Sequence, residues 1–366
     1  MKRFVLRMVP KTYVRSGLQT IAIFAISALS LFGGKAQGGL VLTSAGIAAG
    51  FSLSTFATGF PSESQPSGIA GPLGIVFPNG GVLVSDVPGN VRFFPTDVDG
   101  QNAAAFSPTA GASYGSGNAH GMAMVGSNIY MNQQALGRLV QVNNNGTINQ
   151  VILSGLTNPI GMVANPITGH LFISAFVSGS GPGFTNALEE VDPIAKTATL
   201  FASVSPGNSN TGPDGVALSP DGNTLYAAIY GTSHVLGFNI TSKAQVFDSG
   251  FIPGGIDGSA LGTGSIAGNL FVNTNSGTVV EVNLTTLAQT AIATGGSRGD
   301  FVAVDPNNGT LLLTQSDSIE RLIPPVGGGF GPVSVPEPAS LTLLAIGITG
   351  MAGYALRRRD KTLAIV

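Results

Sequence analysis

The sequence predicts an all-β fold, a six-bladed β-propeller, carried between an N-terminal signal peptide and one C-terminal transmembrane helix. Three observations predict it. A unit of apolar strand, turn and second apolar strand recurs six times, at intervals of 40 to 54 residues. Glycine is abundant, with 53 residues, while charged residues make up only 9% of the chain; this composition favours turns and strands over charged amphipathic helices. The two long uninterrupted apolar segments sit near the ends, each beside a basic cluster. With 366 residues and 43% hydrophobic content, the chain can bury a sizeable core.

At the N-terminal end, residues 2–15 are basic, Leu18 to Phe32 are almost continuously apolar, and small residues follow at Ala36 and Gly38. These are the three parts of a secretory signal peptide, assigned to residues 1–38 with cleavage after Gly38. Fifteen apolar residues make a helix of about 22 Å, short of a bilayer core of about 30 Å, which argues against an uncleaved anchor.

The repeats occupy residues 39–323. Their first strands begin at Leu73, His120, Ile160, Asp214, Asp257 and Asp300, in the segments LGIVF, HGMAM, IGMVA, DGVAL, DGSAL and DFVAV. Second apolar runs follow at 80–86, 127–133, 169–175, 223–229, 268–274 and 309–315. The turns between them, such as Ser219-Pro220-Asp221-Gly222-Asn223, carry tight-turn residues. Alternating third strands follow at 138–143, 234–239 and 318–323, and fourth strands at 148–153 and 244–249. Such a meander cannot bury both faces alone, and the pitch is that of a propeller blade. The sixth unit runs out after three strands, so Phe51 to Ala57 is expected to supply its outer strand and close the ring. A β-sandwich lacks such regular spacing, and the absence of tryptophan argues against repeats of the WD type.

At the C-terminal end, a Gly/Pro-rich linker is assigned to residues 324–338, a transmembrane helix to 339–356 and a basic cytoplasmic tail to 357–366. Ala339 to Leu356 carry no charge. Eighteen residues make a helix of about 27 Å, enough for a thin span. Arg357, Arg358 and Arg359 would stay on the cytoplasmic side, placing the rest of the chain across the membrane.

Six basic residues against 17 acids in residues 39–356 leave that region at a formal charge of −11. Such a body is unsuited to nucleic acid, whose binding rests on Lys and Arg. Cysteine is absent, which excludes disulfides, zinc–thiolate sites and cysteine nucleophiles.

Val335-Pro336-Glu337-Pro338, then the apolar stretch, then Arg357, Arg358 and Arg359 resemble the PEP-CTERM sorting signal of Gram-negative bacteria. The resemblance implies recognition by an exosortase, a membrane transpeptidase-like enzyme, and an association with exopolysaccharide production. It implies residence in the inner membrane through the C-terminal helix, then a cell-surface or extracellular location after processing. The segment at 213–228, PDGVALSPDGNTLYAA, resembles the repeats of NHL and gluconolactonase/regucalcin-like propellers.

Residues that open the first strands line a propeller's channel. Asp214, Asp257 and Asp300, with His120, are therefore candidates for one site, and their oxygen and nitrogen donors suit Ca²⁺ or Mg²⁺. Each Asp-Gly could instead cap its own turn. The gluconolactonase resemblance implies that acidic residues there hold a divalent metal and that one, Asp214, can serve as a base in lactone hydrolysis. Leu73 and Ile160 depart from that pattern. His170 and His234 fall at strand edges and read as surface residues; Arg298-Gly299-Asp300 reads as a chance triplet; Gly179 to Gly183 reads as a flexible loop with no phosphate-binding register. The leading functional reading is a non-enzymatic binding or structural protein with a glycan or protein ligand, and the alternative is a metal-dependent lactonase-like hydrolase.

Overall fold

Each repeat folds as an antiparallel meander, and six of them stand around one axis. The computed structural model describes residues 39–65, 68–175, 186–204 and 212–331. The assigned signal peptide, the Gly179 to Gly183 loop, the Val335 to Pro338 motif and the apolar stretch 339–356 lie outside the described residues. Among the described residues, no helix is long and apolar enough to cross a membrane.

Blade 2 shows the pattern in full: Met122–Val125, Asn128–Gln133, Arg138–Val142 and Ile148–Ser154 pair in that order. Blades 3, 4 and 5 repeat it, with innermost strands Pro159–Ala164, Gly212–Leu218 and Ile256–Gly264. The innermost strand of each blade neighbours that of the next, and the sixth, Val302–Val304, neighbours the first, Pro72–Val76. The ring is therefore closed.

The alternation of each strand explains the stacking. In the second strand of blade 3, Leu171 and Ile173 face the apolar core shared with blade 2, whereas Phe172 faces the core shared with blade 4. In blade 6, Leu311 and Leu313 pack against blade 5 and Leu312 against blade 1. Six apolar cores thus alternate with six blades, and no blade can be removed without exposing two of them.

Closure follows the sequence-based expectation. Ser52–Thr58 pairs antiparallel with Ser318–Ile323, from Ser52 opposite Ile323 to Thr58 opposite Ser318, and becomes the outer strand of blade 6. Phe56, fully buried, fills the core between blades 6 and 1 against Phe94. Val41–Leu42 pairs with the outer strand of blade 5, Gln289–Thr294.

Two features differ from expectation. Blade 1 has three strands in its sheet, Pro72–Val76, Val82–Asp86 and Val91–Phe94. In place of a regular fourth strand, Ser113 makes a lone bridge to Asn90, and the Tyr114 hydroxyl donates to the Gly146 carbonyl of blade 2 at 2.5 Å. The segment from 324, assigned as linker, begins as part of the propeller: Gly328–Phe330 pairs with Gly262–Gly264 at the end of the innermost strand of blade 5. Phe330 is the cause, since its buried ring packs edge-on against Phe271 at 4.9 Å.

The x-Gly step of the repeats has a packing reason. The register between first and second strands shifts at this step in blades 1, 3, 4 and 5. The glycine backbone thereby presses against the next blade: a Cβ on Gly74, Gly121, Gly161, Gly215 or Gly258 would overlap the carbonyl oxygen of His120, Ile160, Asp214, Asp257 or Asp300, respectively. The glycines therefore set how close the blades come to the axis. Gly161→Ala is expected to cost about 1–3 kcal/mol, the usual range for overpacking. Gly39→Ala, where nothing lies nearby, should leave the urea midpoint unchanged.

Candidate functional site

The residues that precede these glycines stand at one end of the channel. The structure brings Asp214, Asp257, Asp300 and His120 together there, and adds a residue that sequence reasoning set aside. The guanidinium of Arg298 lies 2.5 Å from Asp300 Oδ1 and 3.8 Å from Asp257 Oδ2, and its Nε donates to Asn275 Oδ1 at 3.1 Å. Leu73 and Ile160, the apolar members of the ring, are buried.

The sixth repeat carries Phe301 where the other five carry glycine. Its ring meets the His120 imidazole edge-on, with centroids 6.1 Å apart, and packs against Ala70, Leu73 and Val87. Beside it the channel narrows to about 30 Å³ between the glycine backbones. Phe301 therefore separates the acidic end from the rest of the channel.

Electrostatics in this enclosure run against ionisation. Burial pushes Asp300 up to about 6 even with Arg298 beside it. Burial, together with the charges of Asp214 and Asp300, raises Asp257 well above the ordinary carboxylate range, and burial also raises Asp214. Among the described residues, no donor is within hydrogen-bond distance of either oxygen of Asp257, which is 2% exposed. A proton shared between Asp257 and Asp214 is the remaining way to relieve that repulsion. Burial first, and the Arg298 charge second, push His120 down to about 4, so it is neutral near pH 7.

Three carboxylates on adjacent blades have the right chemistry for a divalent metal, yet among the described residues no three His, Asp or Glu side chains converge as a metal centre requires. The cation within the cluster is the guanidinium of Arg298. As arranged, the residues do not fit a metal. They fit a proton- and arginine-neutralised acidic knot.

Arg298 escaped sequence reasoning because a triplet in a glycine-rich chain carries little information. The usable signal was scarcity, since it is the single basic residue between Lys243 and Arg321 and sits two residues before a channel Asp. His170 and His234 lie where the sequence places them, at half-exposed edges, 2.8 Å from Glu190 and 2.7 Å from Asp248.

Beyond the described residues, the sequence at 334–359 matches the family model of the PEP-CTERM protein-sorting motif. This chain carries a PEP-CTERM sorting motif. The motif marks an exported protein recognised by an exosortase-type enzyme. No curated protein matches this chain. Among solved structures, a gluconolactonase from Xanthomonas campestris is similar at 15% identity and a TM-score of 0.55, over 79% of this chain and 95% of that one. A protein described as an oxidoreductase (glucose dehydrogenase) from Thermus thermophilus is similar at 17% identity and a TM-score of 0.57, over 75% and 100%. A luciferin-regenerating enzyme is similar at 13% identity and a TM-score of 0.50, over 81% and 99%. At these identities the likeness is one of fold, and it agrees with a six-bladed propeller behind a PEP-CTERM motif.

Proposed function

We propose that this chain is a binding protein of the cell surface or extracellular matrix, displayed by an exosortase-type system and serving exopolysaccharide or biofilm. The observation that carries the reading is the sorting motif at 334–359, three residues after the last described residue of a closed ring. The strongly acidic body supports a partner rich in hydroxyl groups over a polyanion. The stretch 339–356 is read as the membrane anchor that holds the chain until processing, with the arginine cluster on the cytoplasmic side.

The test is location. Replacing Glu337, or Arg357 to Arg359, is expected to leave export intact and to hold the protein in the inner membrane. Fractionation that finds these variants at the final location in parental amounts would rule the sorting reading out.

The second reading, a metal-dependent lactone hydrolase, is favoured by one observation, the two donor-free buried oxygens of Asp257. It requires Arg298 to give way to Ca²⁺ or Mg²⁺ among His120, Asp214, Asp257 and Asp300, with Asp214 as base. Metal-dependent turnover of a lactone panel, lost in Asp214→Asn, would establish it. Neither turnover nor a metal-dependent melting shift is expected.

A further inference from the structure

The end of the channel opposite the acidic knot has a different chemistry. After each x-Gly step the innermost strands continue with apolar residues, and these open a cavity of about 470 Å³ whose walls include Phe77, Met122, Met162, Val216, Leu218 and Val304. At its floor, the glycine ring beside Phe301 leaves a space of about 30 Å³, room for about one or two waters. The cavity is thus blind, and its volume lies in the range of small-molecule pockets, about 300–1,000 Å³. Three methionines, Met122, Met124 and Met162, give it walls that adapt to a flexible occupant.

Charge and chain geometry decide what enters. Among the described residues, no Lys or Arg lines the cavity. Its charged lining residue is Asp221, exposed at the rim and held ionised by hydrogen bonds from Ser219 and from Asn223, which lower it further below the ordinary carboxylate range. An acidic rim without a cation disfavours a free fatty-acid carboxylate. Gly331, the last described residue, forms part of the wall, so the chain leaves the propeller at this mouth. Seven residues, 332–338, separate it from the apolar stretch 339–356. Fully extended they reach about 25 Å. With that stretch in a bilayer, the apolar mouth is tethered near the lipid surface and the acidic knot is at the far end of the channel.

We propose that this cavity takes one acyl chain of a neutral or zwitterionic lipid from the membrane in which the chain awaits processing. The inference rests on the reading of 339–356 as membrane-embedded. Lipid insertion orients the propeller, apolar mouth toward the bilayer and acidic knot outward, and removal of the anchor releases it.

The chain has no tryptophan, so an introduced one reports alone. Full-length Ala164→Trp, with its reporter in the cavity wall, and Leu136→Trp, with its reporter on the exposed second-to-third-strand loop of blade 2 at the acidic end, are reconstituted in phosphatidylethanolamine/phosphatidylcholine vesicles with acyl-brominated lipid. Flotation with the vesicles reads the membrane-embedded stretch by itself. Severalfold quenching is expected for Ala164→Trp and none for Leu136→Trp, and adding Val216→Gln to Ala164→Trp should abolish it in a protein that still floats and melts cooperatively. Flotation without quenching of Ala164→Trp, or quenching that survives Val216→Gln, overturns the inference while the membrane reading stands. Failure to float refutes the membrane reading; the cavity is then tested by monomeric brominated lysophosphatidylcholine, where saturable quenching of Ala164→Trp upholds acyl binding and its absence overturns it. Stronger quenching by free brominated fatty acid than by the lysolipid also overturns the choice of lipid.

Discussion

Arg321→Met is expected to lower stability by about 3–5 kcal/mol, the range for removing one partner of a buried ion pair. Arg321 stands on the third strand of blade 6 and bonds Asp97 Oδ1 at 2.5 Å, Asp99 Oδ1 at 2.8 Å and Asp305 Oδ2 at 2.6 Å, with Thr310 Oγ1 at 2.8 Å. Its side chain is 5% exposed and that of Asp305 is fully buried, so a methionine leaves a carboxylate with neither water nor a cation. Asp97 and Asp99 belong to the segment leaving blade 1, so this one side chain joins both sides of the seam between blades 1 and 6. Its guanidinium also lies 5.6 Å from the centre of the Phe56 ring on the closing strand. Arg321→Lys keeps the charge and loses the fork, and should fall between parent and Arg321→Met. Adding Asp305→Asn to Arg321→Met should recover part of the loss. Urea denaturation measures all three; a parental midpoint for Arg321→Met would refute the staple.

The second large effect is expected at the acidic knot. Arg298→Gln leaves the buried Asp257 and Asp300 and the half-buried Asp214 without their cation and should also cost about 3–5 kcal/mol near pH 7. The pH dependence identifies the cause. Asp300, at about 6 in the folded protein, and the more strongly raised Asp257 bind protons more tightly folded than unfolded. Their contribution is fully present below about pH 4 and is lost as pH rises through 6 and beyond. His120 acts oppositely: at about 4 when folded, its contribution is present above about 6.5 and is lost as pH falls toward 4. Carboxyls outnumber the imidazole, so Arg298→Gln should regain stability on going from pH 7 to 5. Asp257→Asn, which removes the most strained carboxyl, should be more stable than the parent at pH 7 and less sensitive to pH. Thermal melts across this range decide it, and pH-independent damage from Arg298→Gln would show that the residue acts by packing alone.

Much of this architecture was legible along the chain because propeller blades are built from local contacts. The repeat of x-Gly-apolar steps located every innermost strand, and the third-strand ending of the sixth repeat pointed to Phe51–Ala57 as the closing strand. Channel residues were legible for the same reason, since position within a repeat fixes position on the axis. What stayed hidden depends on pairs far apart in sequence. Arg321 read as one polar position of an alternating strand, and nothing near it names Asp97 and Asp99, more than 220 residues away. Arg298 read as chance although its nearer partner, Asp300, is two residues away; only its approach to Asp257, 41 residues back on another blade, shows it as the cation of the cluster. The Gly/Pro-rich run after Ile323 read as linker, yet Phe330 supplies enough apolar surface to hold Gly328–Phe330 on the ring.

The closing strand has a kinetic consequence. Thr55 and Glu320, hydrogen-bonded across the last blade at 2.7 Å, are 265 residues apart, so one half of the seam leaves the ribosome long before the other. At synthesis rates of about 5–20 residues per second the gap is roughly 13–53 s. Throughout that interval Ser52–Thr58 has only its two-residue parallel pairing with Gln101–Asn102, and the blades already made have no ring to complete. Blades built from local contacts can form one by one, but a seam between strands this far apart closes only after the full chain is available. For the exported protein that the sorting motif marks, this delay is an advantage: the polypeptide stays threadable while it crosses the membrane, and the ring locks on the far side.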